Sequence, residues 1–79
     1  MPKKKIHINK EMGHRITMAR THRKLSQTEL AKIIPCSQSF LHEIEKHGMD
    51  FSVSLLKRIV EVLDVSYKYL YGEEELHIK

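Results

Sequence analysis

Leu25-Ser26-Gln27-Thr28-Glu29-Leu30-Ala31, followed by Ser37-Gln38-Ser39-Phe40-Leu41-His42-Glu43-Ile44-Glu45, decides the reading of the fold. Each segment carries near its start a serine whose hydroxyl can accept from a free backbone N–H, a helix-start signal. Glu29 stands three residues after Ser26 and completes a capping box. Leu30, Ala31 and Ile34 form the inner side of the first helix, with Ala31 small where two helices must cross closely. Leu41 and Ile44 form the inner side of the second. Pro35 ends the first helix, because it lacks an N–H and disfavours helix in the residue before it. The two segments therefore read as short helices joined by a tight turn, with Ser37 capping the second, which runs to about Lys46.

The pattern extends in both directions. Upstream, Asn9 caps a helix from Lys10 to about Arg23, with Met12, Ile16 and Ala19 in one apolar stripe. Downstream, Gly48 is a left-handed stop and Met49 to Ser52 is a loop. Ser52 caps a fourth helix, Val53 to Leu63, and Ser66 caps a last short one through Tyr71, closed by Gly72. Tyr67, Leu70 and Tyr71 repeat at helical spacing and read as core, whereas Tyr69 faces elsewhere as a weaker candidate for a dimer contact. Five helices with short connections predict an all-α domain. At the ends, Lys5 to Asn9 and Glu75 to Lys79 alternate polar and apolar residues. They read either as a short β-ribbon built from the termini, within one chain or across a dimer, or as frayed ends.

The 79 residues are expected to make one small domain. A chain of this size buries only about 60% of its unfolded surface, so dimerisation would add stability. The single cysteine, Cys36, excludes an intrachain disulfide. No secretory signal is read, so a cytoplasmic location is expected. No apolar run approaches the roughly 20 residues of a membrane span. The net charge is +4, divided as +7 over residues 1–24, −1 over 25–48 and −2 over 49–79. Such concentration suits a polyanion, and equally a solubilising face. The organisation expected is a basic arm over 1–9, a helical domain over 10–72 and a C-terminal tail over 73–79, the tail serving as a candidate dimerisation strand.

The motif Leu-Ser-Gln-x-Glu-Leu-Ala, with Ser-Gln-Ser-x-Leu-x-x-Ile-Glu behind it, resembles the helix-turn-helix of the Cro/C1 (XRE) family. The resemblance covers residues 12 to about 72, and Val53–Leu63, Val65-Ser66 and Leu70 match the family's closing helices. It implies a five-helix, lambda-repressor-like domain whose second motif helix lies in the major groove of double-stranded DNA. Gln38 and Ser39 then sit at base edges, where Gln can pair with adenine N6 and N7. Ser37 opens that helix, and His42 and Glu43 follow on the same side one turn on. Gln27 matches the family's phosphate-holding glutamine, over a helix N-terminus. The loop from Gly48 to Ser52, with Lys46 nearby, would approach the other side of the site. Arg20 and Glu45 match a pair that forms a salt bridge in phage repressors of this family. Lys3, Lys4 and Lys5 resemble the Lys-rich arm of phage lambda repressor, with a solubilising tail as the alternative. Two departures stand out. Pro35 replaces a common Gly, whose positive φ Pro cannot adopt, so the turn is expected to be rebuilt. Phe51 stands where the family often has Pro, as a core plug or an exposed aromatic.

Six histidines carry no metal pattern, since His42 and His47 are five apart and neither His-x-x-x-His nor Cys-x-x-Cys occurs. Cys36 reads as a buried structural thiol, with a redox sensor as its alternative. There is no Gly-rich phosphate loop and no Ser, His and Asp set with a motif around it. Neither an enzyme nor a cofactor is therefore expected. The expected function is a transcriptional regulator, a repressor that binds a palindromic operator as a homodimer. Its rivals are a protein-interaction module such as an antitoxin or adaptor, marked by an exposed Phe51 and Tyr69, and a controller of a restriction–modification operon.

Overall fold

A computed structural model describes residues 5–34 and 36–76. Strand β1 (Lys5–Ile8) leads into α1 (Lys10–His22), α2 (Gln27–Ile33) and α3 (Gln38–His47); β2 (Met49–Ser52), α4 (Val53–Leu63) and α5 (Tyr67–Leu70) follow. Every helix starts on a side-chain cap. Asn9, Ser26, Ser37, Ser52 and Ser66 each accept from the backbone N–H three residues on. At Ser26 the capping box is complete, and its hydrogen bonds from Ser26 hold the Glu29 carboxyl below the usual carboxylate range. The turn expected to be rebuilt at Pro35 lies outside the described residues. α2 stops at Ile33, with Ile34 as its C-cap.

The core draws on every element. Ile8, Ile16, Ala19, Leu30, Ile34, Leu41, Ile44 and Ile59 are fully buried, and Met12, Ala31, Leu56, Leu63 and Leu70 lie among them. α1 crosses α3 at Gly13, where a Cβ would fall 2.2 Å from the Ile44 carbonyl oxygen. A glycine inside a helix costs stability, so this one is explained by close approach of two backbones.

Two expectations need correction. β1 does form, and among the described residues it pairs antiparallel with Met49–Ser52, expected to be a loop. The register sets Ile6 opposite Phe51 and Ile8 opposite Met49. The reason is burial: Ile8 is fully buried and Phe51 is 3% exposed, so the ribbon turns its apolar side onto the helices. Residues 5–8, assigned to the basic arm, are thus strand. At the C-terminus, 73–74 form a bend, Leu76 packs against the core and Ser66 donates to Glu74; residues 77–79 lie outside the described residues. Second, Tyr69 is core, 3% exposed, while Tyr67 and Tyr71 are exposed. The Tyr69 hydroxyl donates to the Arg15 carbonyl at 2.8 Å, and the Arg15 guanidinium lies over its ring. α5 ends at Leu70, and four residues are too few for periodicity to assign a face. Of the two readings of Phe51, the core plug is the one found: the ring is buried and meets Phe40 edge-on with ring centroids 6.3 Å apart.

Gly48 does stop α3, with φ +71° and ψ 162°, extended in ψ instead of left-handed helical. A Cβ there would fall 2.2 Å from the Ile8 carbonyl oxygen, so glycine is required both for backbone angle and for contact with β1. Among the described residues no helix is long and apolar enough to cross a membrane.

Candidate nucleic-acid interface

α3 divides cleanly. Leu41, Ile44 and Glu45 face inward, and Gln38, Ser39, His42, Glu43, Lys46 and His47 are exposed. Gln38, Ser39, His42 and Glu43 line one shallow cleft, together with Gln27 from the first turn of α2. Two amides, a hydroxyl, an imidazole and a carboxylate thus converge where two helices meet. Each is a group of a kind that can donate to or accept from a base edge. Ser37 is exposed, but its hydroxyl oxygen accepts from the Phe40 N–H at 3.0 Å, which leaves one O–H to offer a partner. Glu43 approaches His47 at 3.9 Å along the helix.

Beneath the cleft lies a polar cluster around Glu45. Arg20 Nε donates to Glu45 Oε2 at 2.9 Å and Arg20 Nη2 to Oε1 at 3.0 Å. The remaining guanidinium nitrogen, Nη1, donates to the Leu25 carbonyl at 2.7 Å. Thr17 Oγ1 and Gln27 Nε2 donate to the same Oε1 at 2.8 and 3.2 Å. The fork-on-carboxylate geometry is the strong form of such a pair. It joins α1, the α1–α2 turn, the start of α2 and α3. It also orients Gln27: only the amide NH₂ can face a carboxylate, so Oε1 is directed elsewhere. No buried side-chain nitrogen or oxygen among the described residues lacks a partner.

Thr17 was not singled out by the sequence reading. Gly13, Thr17 and Arg20 fall at spacings of four and three on α1, so a search for small and polar residues in register with Arg20 would have found it. Lys46 does not line the cleft. It lines a neighbouring groove between α1 and α3, with Lys10, His14, Arg15 and Met18. Lys5 is exposed on β1, and Lys3 and Lys4 lie outside the described residues. Cys36 is half-buried, which pushes its thiol up and keeps it protonated near neutral pH. Among the described residues no three His, Cys, Asp or Glu side chains gather as metal ligands would.

Comparison with known proteins agrees with this geometry. The family described as Helix-turn-helix matches residues 16–70. An immunity repressor protein of Bacillus phage phi105 is 35% identical over 65 residues, 82% of this chain and 45% of that protein. The HTH-type transcriptional regulator RamB of Mycobacterium tuberculosis is 30% identical over 67 residues, 85% of this chain and 14% of that protein. The chain therefore spans less than half the length of the curated relatives it matches.

Proposed function

The chain belongs to the Cro/C1-type helix-turn-helix family, and from that premise we propose that it is a sequence-specific transcriptional repressor. The family is one of DNA-binding regulators, not of enzymes. In this reading α3 enters the major groove, and the chain binds a two-fold symmetric operator as a homodimer, with half-sites about one helical turn apart.

One observation carries the reading: the outer face of α3 brings Gln38, Ser39, His42 and Glu43 together with Gln27, while its inner face is sealed in the core. Gln38 and Ser39, at the N-terminal end of α3, take base edges. His42 and Glu43 extend the reading by one turn, with Glu43 accepting from cytosine N4. Gln27 holds a phosphate beside the helix through the second N–H of its amide, the first being given to Glu45, Ser37 adds its free O–H, and Lys46 and Lys3 to Lys5 neutralise the backbone. Repression in particular is supported by the phage relative, an immunity repressor. The protein-interaction reading named Phe51 and Tyr69 as its exposed aromatics; both are buried, which leaves it without them.

The test is selection of bound sites from a random duplex pool, read by sequencing, beside a Gln38→Ala/Ser39→Ala variant. The expected result is an enriched inverted repeat that the variant loses. Enrichment of nothing, or the same site from both proteins, removes α3 from the role given to it here.

A further inference from the structure

The cleft on α3 is short of positive charge. Its lining residues include no lysine or arginine and one carboxylate, Glu43. Yet affinity for a duplex is dominated by cations that neutralise phosphates and release counterions. Those cations have to come from beside the cleft.

The groove between α1 and α3 adjoins it. Lys46 lies four and three residues beyond His42 and Glu43, hence on the same side of α3 one turn along, and lines this groove with Lys10, His14 and Arg15. Among the described residues none of Lys10, Arg15 and Lys46 is in an ion pair, whereas Arg20, Arg23 and Arg58 each face a carboxylate. Of the two acids that line the groove, Glu45 is already matched by Arg20, which leaves Glu11 against three fixed cations. The groove is therefore net positive and open.

We infer that the α1–α3 groove is a phosphate track, in which Lys10, Arg15 and Lys46, with His14 between them, take the sugar–phosphate backbone of the duplex whose bases α3 reads. This rests on the DNA-binding reading of α3. The major groove is about 12 Å wide, so a helix on its floor has a phosphate wall at either side, and α1 would present its cations to one of them. Contacts of this kind set register and affinity but carry no direct sequence information.

Lys10 is exposed at the start of α1, so its substitution leaves the core alone. Affinity of the full chain for a random-sequence duplex is measured against salt for wild type, Lys10→Gln, Lys10→Glu and, as a control, Lys68→Gln on α5. The expected result is a log–log slope reduced by about 0.9 for Lys10→Gln. Lys10→Glu should reduce it at least as much, and Lys68→Gln not at all. The bases enriched in site selection should be the same for Lys10→Gln as for wild type. A wild-type slope in the Lys10 variants, or altered base preference, overturns the inference while the reading of α3 stands. Absence of salt-dependent duplex binding by wild type overturns both.

Discussion

Glu45 is a carboxylate whose side chain is 4% exposed, facing an Arg20 side chain that is 13% exposed. Neither charge would be stable alone at that depth, and each is satisfied by more than the other. Glu45 receives Thr17 and Gln27 besides the guanidinium, and Arg20 also reaches the Leu25 carbonyl. Removing one partner of such a buried pair leaves the other desolvated and unmatched. Glu45→Ala is therefore expected to destabilise the domain by about 3–5 kcal/mol. For a domain of this size that lowers the melting temperature by roughly 4–8 °C for each kcal/mol. Thermal unfolding by circular dichroism checks it, and an unchanged midpoint would mean that the pair contributes nothing. The pairing was legible through the family resemblance alone. The hydrogen bond to Gln27 was not, because it joins residues 18 apart and depends on how α2 meets α3.

At the scale of elements, helix starts were readable because each has a local chemical mark: an Asn or Ser oxygen that meets a backbone N–H three residues later. The ribbon was not, because Met49–Ser52 is four residues long and its partner lies more than 40 residues away. A strand that short acquires its identity from the partner and the core beneath it. The α1–α3 crossing shows the same limit. Gly13 reads as a weak point in a helix, and in an isolated helix Gly13→Ala would stabilise by about 1 kcal/mol. Here the added Cβ would fall 2.2 Å from the Ile44 oxygen and 3.0 Å from that of Glu45. Those are backbone atoms of α3, so the helices must separate. Gly13→Ala is expected to lower stability by about 1–3 kcal/mol, a reversal of sign relative to propensity. Chemical denaturation distinguishes the two, since a raised midpoint would show that propensity wins and that α1 and α3 have room between them.

For the whole molecule, positive charge collects at one end of the sequence and exposed aromatics at the other. Tyr67 and Tyr71 are 42% and 51% exposed, one turn apart at α5, while the ring between them, Tyr69, anchors the segment to α1. An aromatic pair held on a fixed platform carries apolar area with little side-chain entropy left to lose, which suits a contact between copies. No α5 residue lines the α3 cleft, so in the proposed reading a contact at α5 would join two copies and leave that cleft open. Dimerisation then makes the second half-site contact intramolecular, worth roughly 10²–10⁴-fold in affinity. Tyr67→Ser/Tyr71→Ser is accordingly expected to sediment as a monomer, with its helical content intact, and to lose affinity for a two-half-site duplex by a factor in that range. Its affinity for a single half-site should stay at the wild-type value, because α3, Gln27 and the α1 cations are untouched. If the doubly substituted chain remains dimeric, the contact lies elsewhere; if it is monomeric yet binds the two-half-site duplex as tightly as before, the operator is read by one copy at a time.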